Sequence, residues 1–152
     1  LALDAFDVSA PHGRLLERER WNAARADLRR VLARETTVEA VIQRHQGTSL
    51  LAKPLPRVPI KISVDNRASQ RFTVVDVRAE DRVGLLYALA SALHRAEVEI
   101  ALARITTEAH RAIDSFYVTR RGAKILDAAA TEELVQRLQT AVQASEQEGP
   151  AG

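Results

Sequence analysis

The feature that most constrains this sequence is the order of strand and helix patterns over residues 58–144. Apolar residues first alternate with period 2, as in half-buried strands, and later recur at helical spacing. The strand patterns cover residues 58–64, 72–79, 99–107 and 112–119, and the helix patterns cover residues 85–96 and 131–144. This order predicts an α+β, ferredoxin-like fold, in which a four-stranded antiparallel sheet carries two helices on one face. We expect residues 58–64 to supply the fourth strand from the N-terminal side.

Two further helix patterns precede this unit. The first covers residues 16–33, and the second starts at Thr36, with Glu39 as its capping-box partner, and ends near Gly47. Three prolines in residues 48–59 then indicate an extended linker. The predicted organisation is therefore residues 1–34, a short helix and linker over residues 35–56, a main domain over residues 57–144, and a disordered polar tail over residues 145–152.

An internal sequence repeat relates the first segment to the main domain. Residues 2–8, ALDAFDV, align with residues 112–118, AIDSFYV, and each is followed by a glycine-containing turn and an amphipathic helix. Residues 1–34 therefore correspond to the closing strand and helix of an earlier copy of the same domain. Because the chain has no methionine and begins at Leu1, we expect it to be a fragment of a longer protein.

The composition excludes several function classes. The chain of 152 residues has 22 basic and 20 acidic side chains, so no excess of charge calls for a nucleic acid or a membrane partner. It has no cysteine, and its four histidines show no spacing of metal ligands, so no disulfide, thiolate or metal site is predicted. Three aromatic residues, Phe72, Phe116 and Tyr117, are too few for an RNA-binding sheet. No apolar run is long enough to span a bilayer, which favours a cytoplasmic location.

The turn between the second strand and the following helix is the best candidate for a ligand site. Residues 81–84, DRVG, join a buried strand to a helix that starts near Leu85. The first N–H groups of a helix have no partner within the helix and lie at the positive end of its dipole. Such a turn can hold a carboxylate or a phosphate.

Three motifs in this unit resemble the ACT domain. They are DRVGLL at residues 81–86, ARITT at residues 103–107 and DSFYVT at residues 114–119. Together with residues 64–77, they are similar to the C-terminal tandem ACT repeats of bifunctional uridylyltransferase/uridylyl-removing enzymes that act on the PII nitrogen-signalling protein. The sequence departs from this pattern at two positions: Val83 replaces the usual proline of the turn, and Ala109 replaces the expected hairpin glycine.

The resemblance implies a regulatory module that senses an amino acid, with glutamine expected in this enzyme family, and that has no catalytic residues of its own. It implies catalytic nucleotidyltransferase and phosphohydrolase domains elsewhere in the parent protein, which would use Mg²⁺, and PII as a partner through that protein. Another ACT repeat, in the same chain or in a second chain, would complete the module. Two alternatives remain open: an ACT module that only mediates assembly, and a stand-alone ACT regulator of amino-acid metabolism.

The expected ligand site combines the turn with the first half of the third strand. The ligand carboxylate would meet backbone N–H groups, and its ammonium group and side chain would face Asp81 and the third strand across an interface with another ACT sheet. The site residues are Asp81, Arg82, Val83, Gly84, Leu85, Leu86, Ile100, Ala101 and Ala103. Capping of the helix is an equal alternative for Asp81, and exposure to solvent is an alternative to a carboxylate clamp for Arg82. Asp114 is interpreted as a structural residue at a turn or sheet edge rather than as a general base.

Overall fold

The computed structural model describes residues 5, 7–8, 18–46 and 58–147, and the chain divides into two compact units, residues 1–45 and 46–152. The first unit contains helix α1 (Arg18–Leu32) and most of helix α2 (Val38–Gln46). The strand pattern of residues 2–8 falls largely outside the described residues. Residues 48–57 of the predicted linker also lie outside the described residues.

The helices of the first unit are largely exposed, and the second differs from the prediction in its cap. Helix α1 has no buried residue, and its apolar stripe is exposed, with Leu32 at 74%. Helix α2 is capped by Thr37, whose Oγ1 accepts a hydrogen bond from the Ala40 N–H at 3.2 Å. The predicted cap, Thr36, is therefore wrong by one residue. The helix begins at Val38, so the residue just before it, whose side chain can reach the first free N–H groups, is Thr37.

The second unit has the predicted order of elements. They are β1 (Lys61–Asp65), β2 (Thr73–Glu80), α3 (Leu85–Arg95), β3 (Val98–Glu108), β4 (Arg111–Arg120) and α4 (Ala128–Gln147). The four strands form one sheet in the order β1-β2-β4-β3, and every neighbouring pair is antiparallel. This confirms the α+β, ferredoxin-like prediction, with the fourth strand supplied from the N-terminal side as β1.

Both helices of the second unit cover the same face of the sheet. Alternate residues of β2 and β4 point toward them, because successive side chains of a strand lie on opposite faces. The core combines these two rows with the apolar stripes of the helices: Val75, Val77, Ala79, Ala112, Phe116, Val118, Leu85, Leu89, Leu93, Leu134, Leu138 and Val142. Strand β1 adds the partly buried Ile62 and Val64 to the same face.

Helix α4 is longer at both ends than its pattern predicted. It begins at Ala128 because Asp127 caps it, with Oδ1 accepting the Ala130 N–H at 2.8 Å. It continues to Gln147, so residues 145–147, which were predicted to belong to a disordered tail, are helical. The prediction was wrong because it took the polar residues there as a sign of disorder. The end of the helix is stabilised by a hydrogen bond from Arg82 to Ser145 instead of by apolar contacts. None of the helices in the described ranges is long and apolar enough to cross a membrane.

A buried polar network closes the loop between β1 and β2. The Asn66 Nδ2 donates to the Ile125 carbonyl at 2.9 Å, and its Oδ1 accepts the Thr73 hydroxyl at 2.7 Å. The Thr73 Oγ1 in turn accepts the Ile125 N–H at 2.8 Å, and the Lys124 ammonium donates to the Ser69 carbonyl at 2.7 Å. The network ties this hairpin to the segment that leads into α4.

Candidate functional site

The turn between β2 and α3 has a defined and tight geometry. Gly84 has a left-handed backbone with φ 93° and ψ −11°, and the Leu85 N–H donates to the Arg82 carbonyl at 3.2 Å. These values describe a type II turn, in which the third position requires a positive φ and the second suits proline. Gly84 therefore supplies the positive φ that the turn needs. Val83 occupies the second position of the turn, where a proline would fix the required φ.

Helix α3 starts without a side-chain cap. Its N-cap residue is Gly84, no side chain bonds its first N–H groups, and its first turn has no acidic residue. The N–H groups of Val83, Gly84 and Leu86 have no acceptor among the described residues. Asp81 does not cap the helix, since its recorded bond is made by its backbone N–H to the His110 carbonyl at 2.9 Å. The turn thus presents free donors at the positive end of a helix, where an anion is stabilised.

Arg82 points into the second unit rather than toward the free N–H groups. Its guanidinium donates to Ser145 Oγ at 2.7 Å and to the carbonyl of Val142, and it lies 3.5 Å from the Glu146 carboxylate. Burial lowers the pKa of Arg82 from its usual value, while the charges of Glu146 and Glu80 oppose this shift. Arg82 is therefore neither solvated nor free to clamp a ligand in this structure, because it caps the C-terminal turn of α4.

An open cleft of about 750 Å³ lies beside Arg82. Its lining consists of Val58, Pro59, Ile60, Glu80, Arg82, Gln143 and Glu146. Arg82 is the only residue of the predicted site that lines this cleft, so the cleft and the turn are different places. In the described part of the chain, no three His, Asp or Glu side chains are grouped so that they could hold a metal ion.

Strand β3 is a long, exposed edge of the sheet. It runs for 11 residues, and all of them except Val98 are exposed. Its apolar residues Ile100, Leu102 and Ile105 remain 40–48% exposed, and Val83 and Leu86 at the start of α3 are exposed to a similar degree. We call these five residues the edge surface. A long edge with exposed apolar side chains is a template for pairing with another strand.

The two halves of the predicted site do not meet within one copy of the domain. The turn follows Glu80, which pairs with Arg111 at the end of the sheet where β3 also ends. Ile100, Ala101 and Ala103 lie on the first half of β3, and Ala101 lies in a bulge. At 3.3–3.4 Å per residue, Ile100 is about 20 Å along the strand from the residues beside the turn. The structure therefore brings residues 81–86 together and leaves Ile100, Ala101 and Ala103 apart from them.

Asp114 is a buried carboxylate that the sequence analysis misjudged. It lies on β4, between β2 and β3, with Val77 and Ile105 opposite it, so it is at neither a turn nor an edge. It is 2% exposed, and its Oδ1 has no hydrogen-bond partner among the described residues. The pKa of Asp114 is raised to about 6, mainly by burial and to a lesser degree by the charge of Asp81, while a backbone hydrogen bond from Thr106 opposes the shift.

The residue pattern contained a signal for this burial. Ala112, Asp114, Phe116 and Val118 share one phase of the strand, and the three apolar members of this row belong to the core. An acidic residue in the middle of an apolar row faces the core by the period-2 rule. Reading the row rather than the neighbours in sequence would have placed Asp114 inside.

Comparison with known proteins agrees with this architecture. The family described as "ACR9-like, ACT-like domain" matches residues 61–146. No solved structure matches the chain significantly.

Three curated relatives are bifunctional uridylyltransferase/uridylyl-removing enzymes. The relative from Rhodospirillum rubrum is 34% identical over 143 residues, which cover 93% of this chain and 15% of that enzyme. The relative from Novosphingobium aromaticivorans is 39% identical over 148 residues, covering 90% of this chain and 15% of the enzyme. The relative from Gluconobacter oxydans is 44% identical over 84 residues, covering 55% of this chain and 9% of the enzyme.

The chain thus spans about 15% of the length of the first of these relatives. The matched family region begins with β1 and ends in α4, so it includes all four strands and both helices of the second unit. The chain therefore belongs to the ACT-like domain family.

Proposed function

We propose that the second unit binds a free amino acid, with glutamine as the first candidate, at the turn between β2 and α3. The observation that carries this proposal is the uncapped start of α3, where the N–H groups of Val83, Gly84 and Leu86 lack acceptors within residues 18–46 and 58–147. An α-carboxylate would accept hydrogen bonds from these donors, and Gly84 allows its close approach. Asp81, which is free of a capping role, supplies a negative charge for the ammonium group.

The edge surface completes the site in a second ACT sheet. If two copies of β3 pair antiparallel about a centre near Ala103, Ile100 of one copy lies opposite Thr106 of the other. Such pairing carries the first half of β3 to the end of the partner sheet where the partner's turn begins. This accounts for the separation of Ile100, Ala101 and Ala103 from the turn within one copy.

The regulatory role rests on the relatives. Their names describe enzymes that transfer and remove uridylyl groups, and this chain is similar to a minor part of their length. We propose that the amino acid controls uridylylation and deuridylylation of PII by catalytic domains of a parent protein, which would use Mg²⁺. Control requires the ligand to favour one arrangement of two ACT sheets over another.

Isothermal titration of the chain with L-glutamine, L-glutamate, L-serine and L-leucine tests the proposal. A small ligand with few contacts should bind with about 4–6 kcal/mol, which is millimolar to tens of micromolar. Replacement of Gly84 by Asp strains the left-handed position and places a negative charge against the ligand carboxylate, so binding should be lost. Gly122→Asp is a matched control, because Gly122 is also left-handed, with φ 73°, but lies in the turn after β4.

Selective binding of glutamine that is lost in Gly84→Asp and kept in Gly122→Asp supports the proposal. Equal loss in both variants would instead assign the effect to backbone strain. A folded wild-type chain that binds none of the four amino acids would refute the ligand proposal.

A second candidate function is assembly without a ligand. It is favoured by the edge surface, because β3 exposes three apolar side chains along an unpaired edge while β1, the opposite edge, has only five residues. Sedimentation equilibrium of the wild-type chain should show a dimer, and Ile105→Lys should weaken it at least about tenfold by burying a charge in the contact. Ser63→Lys, on the exposed side of β1, is the matched control and should leave the dimer intact. A wild-type chain that stays monomeric at high concentration would remove this candidate.

A further inference from the structure

The open cleft beside Arg82 has the size of a small-molecule site, and the proposed function does not use it. Its volume of about 750 Å³ lies in the range of known ligand pockets. Three parts of the second unit meet around it: residues 58–60, which lead into β1, the end of β2 with the following turn, and the last turns of α4. The cleft is therefore a product of the tertiary fold rather than of one loop.

The charged groups that line the cleft are two carboxylates and one guanidinium. The guanidinium is turned away from solvent, since the Arg82 side chain is 17% exposed and its Nε and Nη2 donate to Ser145 and to the Val142 carbonyl. The Glu146 side chain is 42% exposed, and its ion pair with Arg82 is long, with an N–O distance of 3.5 Å. The Glu80 carboxylate forms no hydrogen bond or ion pair with another described residue. The carboxylates are thus more accessible from the cleft than the guanidinium is.

The end of α4 adds to the negative potential of the cleft. The last four carbonyl groups of a helix have no partner within it and lie at the negative end of its dipole. Helix α4 has no basic residue in its last turn, so the compensating charge comes from outside the helix, from Arg82. Two accessible carboxylates and a helix end outweigh one guanidinium that is already bound.

The remaining lining is apolar except for one amide. It consists of Val58, Pro59 and Ile60, of which Ile60 packs against the core, and of Gln143 on α4. An ammonium ion on a short hydrocarbon chain matches this combination. Its charged end donates to the carboxylates, and its chain covers the apolar residues, as the stem of a lysine side chain does.

We propose that this cleft is a second ligand site, which binds small organic cations of the alkylammonium class. The site is independent of the proposed amino-acid site, because Arg82 is the only residue of the turn that lines the cleft. The sign of the ligand charge decides what it meets. A cation meets Glu80 and Glu146, whereas an anion must displace Glu146 from Arg82.

The test is an NMR titration of the ¹⁵N-labelled 152-residue chain with three probes that share a four-carbon chain. They are n-butylammonium, 1-butanol and butanoate. The ammonium ion should shift the amide signals of Ile60, Gln143 and Glu146 with a Kd of about 1–10 mM, because so small a ligand makes few contacts. The alcohol and the carboxylate should bind at least about tenfold more weakly.

Two variants remove the carboxylates singly. Glu80→Gln and Glu146→Gln should each weaken the binding of n-butylammonium about three- to tenfold, because the amide keeps the shape but carries no charge. Glu132→Gln is the matched control: Glu132 is exposed on α4, lies outside the lining of the cleft, and its replacement changes the net charge by the same amount. Circular dichroism of all three variants checks that they are folded.

Binding of n-butylammonium that weakens in both cleft variants and is kept in Glu132→Gln supports the proposal. Tighter binding of butanoate would make Arg82 the anchor and overturn it. Equal binding of 1-butanol would show that only the apolar residues act, and a similar loss in Glu132→Gln would show that only net charge acts; either result overturns the proposal. None of these outcomes bears on the amino-acid site, which is tested with glutamine and Gly84→Asp.

Discussion

The two hairpins of the sheet are built by different rules. In the β1–β2 hairpin the edge strand is short, its polar and apolar residues alternate, and its loop is held by the network around Asn66 and Thr73. In the β3–β4 hairpin the edge strand is long and exposes apolar side chains, and its inner strand carries the buried Asp114, whose Oδ1 has no hydrogen-bond partner among the described residues. Where residue pattern, packing and hydrogen bonding agree, the segment mainly stabilises the fold. Departures from these rules concentrate at sites where a protein binds something. The difference fits the proposal that the second hairpin forms the binding edge, while the first mainly stabilises the fold.

The largest effect should come from the core, to which strands of both hairpins contribute. Phe116 on β4 is 1% exposed and lies in the common core, so Phe116→Ala should lower the free energy of unfolding by about 3–5 kcal/mol. Ile105→Ala, on the neighbouring β3, should cost less than about 1 kcal/mol because its side chain is already half exposed. Urea unfolding measures both. Similar losses would contradict the assignment of β3 to a binding edge.

Asp114 should make stability depend on pH. Its pKa is raised from 3.8 to about 6 in the folded chain, mainly by burial, so the folded state holds a proton that the unfolded state has lost. Stability should therefore be highest below pH 4 as far as this group is concerned and fall by up to about 3 kcal/mol as the pH rises through 6. In Asp114→Asn this fall should disappear. Urea unfolding at a series of pH values from 4 to 8, with Asp76→Asn as control, measures the slope; an unchanged slope in Asp114→Asn would show that another group carries it.

Asn66 should matter less than a core side chain but more than an ordinary surface residue. Its side chain bonds the Ile125 carbonyl and the hydroxyl of the buried Thr73, so Asn66→Ala removes both bonds. The Thr73 hydroxyl then keeps only the bond from the Ile125 N–H, and the Ile125 carbonyl keeps only the long bond from the Thr131 hydroxyl. We expect a loss of about 1–3 kcal/mol. Arg67→Ala in the same loop is the control, since the Arg67 side chain is exposed and its recorded bond is made by its backbone N–H. Equal effects in thermal unfolding would show that the network is not what holds this hairpin.

The smallest effect should be a gain. Ala109 opens the two-residue loop between β3 and β4 with φ 58°, a conformation that glycine adopts without strain. Ala109→Gly should stabilise the chain by about 0.5–1 kcal/mol net, because the relief of strain exceeds the added entropy of the unfolded chain. Thermal unfolding measures the gain. Ala123→Gly is the control, because Ala123 does not have a positive φ and its replacement should not stabilise the chain.

The fold was predictable because its information is periodic. Alternation in β2 and β4 and the apolar stripe of α3 depend only on residue type and spacing, and all six elements of the second unit were confirmed within a few residues. Helix ends were harder, because a cap such as Thr37 or Asp127 depends on which of several polar side chains reaches a free N–H.

The candidate site was predictable only where it is local in sequence. The turn with Gly84 follows from one dipeptide and its neighbours. The burial of Asp114 follows from its place in the apolar row of β4, but the engagement of Arg82 with α4 arises from residues that are distant in sequence. Neither the motif nor the composition contains that information, since tertiary contacts decide what a polar side chain meets.

The hydrogen bonds of Arg82 connect the turn before α3 to the C-terminal part of α4. Its guanidinium bonds the Val142 carbonyl and the Ser145 hydroxyl near the end of α4, while its backbone carbonyl accepts the Leu85 N–H inside the turn. Any ligand that shifts the turn must also strain or release the end of α4. Because coupling between two binding sites is reciprocal, a partner whose affinity for the end of α4 changed on ligand binding would change the ligand affinity of the turn by the same factor. Through Arg82, a change in the conformation of the turn can therefore alter the end of α4, and a change at the end of α4 can alter the turn.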